Sequence, residues 1–253
     1  MTRRPRRNHS LAFMAKVAVS QAEHPKTGTG AQDLPLSAAV AADQSGQSWL
    51  LLPIALLLAL CIGPELLLQL TDHGMVGPQD LRATVFRYGA IQSDLVSGDK
   101  ALFAGQSFAM FVTYMFLHIG MQHLLVNMIG LVWLWRLILD HRTAGDAALL
   151  YLMSGIGAAL VFTLVGPQHT AIVGASGALF GLLGIYGVDS QLFWSDAGST
   201  GLLQKVLRLV VIAAFLMLSD LVSHQAIGTS VAWQAHTGGF LTGAFAAMIW
   251  PRR

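Results

Sequence analysis

The chain has 253 residues, of which 54% are hydrophobic and only 11% charged, with a formal net charge of +2. Soluble domains carry about a quarter charged residues, so this composition excludes an ordinary water-soluble domain and makes lipid the natural solvent. No basic patch is interleaved with aromatics, which argues against nucleic acid as a partner, and the lone Cys61 excludes an intrachain disulfide.

In chain order, residues 1–47 read as a cytoplasmic, flexible tail. The basic start "TRRPRR" is followed by an apolar stretch that Lys16 interrupts, so no cleavable signal peptide is expected. Residues 20–47 are polar, small and Pro/Gly-containing, with too little apolar surface to pack. Six apolar windows follow, at 48–70, 117–139, 146–166, 172–194, 203–223 and 231–250, each near the ~20 residues that cross a bilayer. Their continuous apolarity favours helices over barrel strands. Pro64 and Glu65 break the first window and are expected at its outer end. The connection 71–107 is long enough to be functional, and its Leu81, Val85, Phe86 and Leu95 are expected to rest in the membrane interface. The expected fold is an all-α membrane protein, a bundle of six transmembrane helices over 48–250, closed by the short basic terminus 251–253.

Charge gives the orientation. Twelve of the fifteen Lys and Arg residues fall in the tail, at Arg136 and Arg142, at Lys205 and Arg208, and at Arg252 and Arg253. The opposite side holds only Arg82, Arg87 and Lys100, so the positive-inside rule puts both termini in the cytoplasm. Even-numbered spans then begin on the extracytoplasmic side. His123 and Asn127 near the start of the second span, Ser176 near the start of the fourth and His236 near the start of the sixth therefore share one depth.

Taken singly, each has a structural explanation: a membrane serine bonds its own backbone, and a lone histidine satisfies packing. Together they make a chemical pattern. Ala235, Gly239, Gly243 and Ala247 recur every four residues, and Gly177, Gly181 and Gly184 offer a matching smooth face, so the fourth and sixth spans can approach closely. That brings Ser176 beside His236, with Phe180 one turn on and able to pack on the imidazole. Neutral histidine is the usual base for a serine hydroxyl. The unused N–H of Ser176 at a helix start, with side-chain donors from His123 and Asn127, can meet a developing oxyanion. Gly174 leaves room for a substrate backbone.

Three segments, "HIGMQHLLVNM" at 118–128, the G-x-S-G of 174–177 and "AHTGGFLTG" at 235–243, resemble the rhomboid intramembrane serine proteases in order and placement. The resemblance implies a six-helix rhomboid-like bundle. In it Ser176 is the nucleophile and His236 the general base, His123 and Asn127 complete the oxyanion hole, and His118 supports the loop before the second span. It also implies substrates that are transmembrane proteins with a locally unstable helix, a small residue before the cut, access from the lipid beside the second and fifth spans, and a bacterial inner-membrane location. No cofactor or metal is implied. Two departures stand out: Ala109 and Met110 replace the Trp-Arg pair many members carry in the first loop, and Phe180 replaces a tyrosine found in some.

Rival chemistries lack their parts. H-E-x-x-H is absent, and His118 and His123 are five apart rather than i, i+4. Asp220 is the only plausible intramembrane aspartate, and beside Ser219 and Ser223 it reads more simply as solvated than as a triad member; His169 and His224 read as surface residues. A transporter would want an inverted repeat and polar residues through both leaflets. The alternative of another class is a non-catalytic rhomboid-like protein that binds or escorts membrane clients, which is expected to lack the serine or the histidine.

Overall fold

The computed structural model describes residues 36–94, 101–190 and 232–252, together with scattered residues between 201 and 221; for 36–50 it describes backbone only. The chain divides into Met1–Asp43 and Gln44–Arg253. Of the first unit only the helical backbone from Leu36 onward is described; the rest of the tail lies outside the described residues.

The elements are α1 (Leu36–Asp72), of which the residues from Gln44 onward belong to the second unit, and, within that unit, α2 (Leu81–Gly89), β1 (Ile91–Gln92), α3 (Gln106–Thr113), a 3-10 turn at Tyr114–Phe116, α4 (Met121–Ile138), α5 (Ala144–Val165), β2 (Ala171–Ile172), α6 (Ser176–Asp189) and α7 (Trp233–Ile249). Among the described residues three helical segments are long and apolar enough to cross a membrane: Leu51–Asp72, Met121–Ile138 and Ala144–Val165, with mean hydropathies of 2.3, 1.3 and 2.1. The protein is an all-α, multi-pass membrane bundle. The described residues between 201 and 221 are helical, where the fifth span is expected.

Several boundaries differ from the expectation, each for a physical reason. Pro64 and Glu65 do not end the first span; α1 continues to Asp72 with both prolines inside it. Glu65 is fully buried and receives Arg82 Nη1 at 2.9 Å and Nη2 at 3.0 Å, so its charge is compensated by protein and needs no exit to water. The second span starts at Met121 rather than 117, after the 3-10 turn and Gly120. The fourth starts at Ser176, because Gly174 adopts φ 129° and cannot be helical.

The first loop is ordered by its own secondary structure. Leu81, Val85 and Phe86 lie half-buried on α2, whereas Leu95 lies outside the described residues. β1 pairs antiparallel with β2, Ile91 against Ile172 and Gln92 against Ala171, which ties this loop to the segment entering Gly174.

At the centre is α6. Every residue from Gly177 to Ser190 is buried, and 14 residues at 1.5 Å each span only about 21 Å, short of the ~30 Å hydrocarbon core. One end of α6 must therefore sit below a membrane surface, sheltered by its neighbours. Helix α7 packs most extensively on α6, and then on α5. The contact is made by absent side chains: a Cβ on Gly239 would strike the carbonyl of Gly177, one on Gly243 the carbonyl of Gly181, and one on Gly184 the carbonyl of Phe240.

Against the C-terminal ends of the same helices lies Arg142, which stands in the connection between α4 and α5 but does not face water. Its side chain is fully buried and bidentate to Asp189, with Nε and Nη2 each at 2.7 Å. It also donates to the carbonyls of Ala247 (3.0 Å) and Trp250 (3.0 Å). Arg252 Nε adds a second cation 3.1 Å from Asp189. Deleting one partner of a buried pair strands the other charge and costs about 3–5 kcal/mol. Because Arg252 remains, Arg142→Met is expected at the lower end, about 3 kcal/mol, seen as a lowered Tm in detergent; an unchanged Tm would contradict the clamp.

Candidate active site

The local path into Ser176 is set by three backbone features. The Gly174 N–H donates to the Tyr114 carbonyl at 2.9 Å, its positive φ turns the chain, and α6 begins two residues later. A Cβ at Gly174 would lie 2.7 Å from His123 Cε1 and 3.0 Å from His123 Nε2, so the His123 ring occupies the space a side chain would need. Glycine is required here on both counts.

Ser176 opens α6 and His236 sits in the first turn of α7. Their side chains meet: Ser176 Oγ is 3.0 Å from His236 Nε2. Phe180 lies flat on the imidazole, with ring centroids 4.4 Å apart and planes 18° from parallel, as the one-turn spacing from Ser176 predicts. His236 is buried and Ser176 half-buried, so the hydroxyl faces the more open side of the pair. Ser176 stands at the helix end whose first N–H groups no helical carbonyl can take.

Helix α4 supplies the second group. His123 and Asn127 are both buried, one turn apart. Asn127 Nδ2 donates to the His123 carbonyl at 2.8 Å, which uses one of its two N–H bonds and leaves the other. His118, fully buried in the loop before α4, meets His123 edge-on with centroids 5.2 Å apart and planes at 66°. Burial, reinforced by the nearby His123, pulls the His118 imidazole down to about 3. It is a neutral packing group at physiological pH.

Beside Phe180 and His236, an apolar cavity of about 360 Å³ is also lined by Leu183, Trp233, Phe240 and Met217. His118, His123, Asn127, Ser176 and His236 thus lie at or near the N-terminal ends of α4, α6 and α7. Asp220, Ser219, Ser223 and His224 lie outside the described residues. His169 is exposed, with Nδ1 3.1 Å from Asp94, in keeping with its surface reading. Among the described residues no group of three His, Cys, Asp or Glu is placed to hold a metal ion. Sequence reading passed over Arg82. Its signal was the unexplained acid Glu65 inside an apolar run, which in lipid demands a cation.

A polytopic helical membrane protein with a serine and a histidine joined across two glycine-packed helices is the class these features define. A family model described as "Rhomboid domain" matches residues 105–253. The chain is 33% identical over 125 residues to Rhomboid-like protein 11, chloroplastic, of Arabidopsis thaliana, covering 48% of this chain and 42% of that one. It is 30% identical over 181 residues to RHOMBOID-like protein 5 of the same plant, covering 70% and 52%, and 28% identical over 172 residues to its RHOMBOID-like protein 1, covering 68% and 40%. The chain belongs to the rhomboid family. It spans about half, or less, of the length of these curated relatives.

The glycine contact generates a stability test. Gly239→Ala forces its new methyl into the Gly177 carbonyl, and overpacking of this kind costs about 1–3 kcal/mol. Gly145→Ala, where the nearest atom is Thr143 Oγ1 at 3.7 Å, is the control. A clear loss of Tm for the first and none for the second is expected; equal Tm values would mean that α6 and α7 are not in contact.

Proposed function

We propose that this protein is an intramembrane serine endopeptidase, hydrolysing peptide bonds in or next to transmembrane segments of other membrane proteins. The observation that carries this reading is the 3.0 Å approach of Ser176 Oγ to His236 Nε2. A binding or escort protein has no need of an activated hydroxyl in a membrane interior. We further propose the six-helix rhomboid topology over 48–250, with a cytoplasmic tail at 1–47 and a basic end at 251–253, both termini cytoplasmic and the site opening to the extracytoplasmic side. The six-helix form points to the bacterial inner membrane.

In this mechanism a substrate helix unwinds locally, since a helical carbonyl is already hydrogen-bonded; helix-breaking residues near the cut assist. The Ser176 oxygen attacks the exposed carbonyl carbon as its proton passes to His236 Nε2. The resulting oxyanion is met by the Ser176 N–H and by His123 and Asn127, donors fixed before charge develops. Collapse expels the amine, which takes the proton from His236 and leaves an acyl ester on Ser176. Water, deprotonated by the same imidazole, then hydrolyses the ester and restores the hydroxyl. Phe180 holds the imidazole plane through both steps, Gly174 leaves room for the His123 ring rather than for the substrate backbone, and Gly239 keeps the neighbouring helix close. The cavity beside His236 gives an apolar side chain of the unwound substrate a place out of water. No step calls for a metal or cofactor.

The test uses a tagged single-span substrate reconstituted with the protein. Ser176→Ala is expected to fall below about a thousandth of the wild-type rate, and His123→Ala to lose about 10²-fold, as for one oxyanion donor. Cleavage at equal rates by wild type and Ser176→Ala would defeat the proposed nucleophile.

A further inference from the structure

The family's Trp-Arg pair is absent at Ala109–Met110, and Met110 is wholly buried in the core. The first loop nevertheless has an arginine anchor, from a different position. Arg82 on α2 donates Nε to Asp72 Oδ2 at 2.7 Å, Nη1 and Nη2 to the two oxygens of Glu65, and Nη1 again to the backbone carbonyl of His118 at 2.9 Å. Glu65 is further held by Gln69 Nε2 at 2.8 Å. One guanidinium therefore joins the first span, the first loop and the segment that leads into α4. Burial works against the Arg82 charge, but its hydrogen bonds to Glu65 and Asp72 more than offset this and raise its pKa, so it stays charged at every working pH.

The bond to His118 has a consequence at the site. His118 stands against His123 ring to ring, and His123 fills the space above Gly174. Only Ile119 and Gly120 separate His118 from the start of α4, so a shift of the His118 backbone is passed directly to the first turn of α4. We infer that Arg82 is a positioning residue for the oxyanion histidine: held by Glu65 and Asp72, it fixes the His118 carbonyl and through it the placement of His123. This inference rests on the serine-protease reading and on His123 acting as a donor. Arg82 touches neither substrate nor Ser176; it acts through the loop. Charge alone does not suffice for the task, because the guanidinium's fork serves three acceptors at once and an ammonium cannot hold all of them in that geometry.

The experiment follows phosphonylation of the purified full chain by a fluorophosphonate, separating the limiting first-order rate constant, the half-saturating probe concentration and the fraction labelled at completion. For Arg82→Met the rate constant is expected to fall about tenfold, less than the 10²–10³ of deleting a donor outright, with the half-saturating concentration and the final labelled fraction near wild type. Arg82→Lys is expected to fall in between. A purely structural role would lower Tm or the labelled fraction and leave the rate constant of the labelled population unchanged; that result overturns the inference. If Arg82→Met does not fold, Arg82→Lys carries the test alone: a reduced rate constant at full labelling supports the inference, and a wild-type rate constant overturns it. A wild-type chain that does not label at all overturns the serine-protease reading and this inference with it, whereas a wild type that labels beside an Arg82→Met chain of equal rate constant overturns the inference alone.

Discussion

The structure depends on how closely two helices can lie. Helices α6 and α7 meet where methyl groups added to Gly239, Gly243 and Gly184 would run into the facing carbonyls of Gly177, Gly181 and Phe240. In lipid there is no hydrophobic force to press helices together, so packing at small residues must do it. The reward is positional. Ser176 and His236 are 60 residues apart in sequence, and neither helix alone orients its polar side chain. With the backbones in contact the side chains need span only one hydrogen bond, and Phe180 closes the far face of the imidazole.

The same two helices are fixed at their other ends by charge. Arg142 joins Asp189, at the end of α6, to the last carbonyls of α7, so a register slip between the helices would break a bidentate ion pair as well as the glycine contact. Arg82 plays a comparable part for the first loop, drawing Glu65, Asp72 and the His118 carbonyl together. Both guanidiniums sit where an unpaired charge would be expensive, and both gather several acceptors, which is the circumstance in which arginine differs most from lysine. The bundle thus holds two polar knots, one around Arg82 and one around Arg142.

Much of this was legible in the sequence, for identifiable reasons. Long apolar windows mark α1, α4 and α5 because crossing lipid constrains length and composition together. The glycine period on α7 marks its contact with α6 because only a helical repeat of small residues makes a smooth stripe, and the Ser176, Phe180 and His236 cluster follows from it. Less was legible where long-range pairing overrides local pattern. Pro64 and Glu65 read as the end of a span, since nothing nearby announces that Arg82, 17 residues on, neutralises the acid. The burial of Arg142 is hidden for the same reason: its partner Asp189 lies 47 residues away. The late start of α6 at Ser176 rests on the φ of Gly174 and on its hydrogen bond to Tyr114, a contact invisible to hydropathy. The secondary structure of the first loop, including its pairing of Ile91 with Ile172, is likewise tertiary in origin.

The central claim is that the hydroxyl of Ser176 is made nucleophilic by contact with the His236 ring. Peptide mapping by mass spectrometry after reaction with a fluorophosphonate tests it most directly, because it reports which oxygen reacted and needs no natural substrate. The account predicts a single phosphonyl adduct on the peptide containing Ser176, at stoichiometry approaching one per chain. A fully folded chain that remains unmodified, or carries the adduct on another residue, would contradict it.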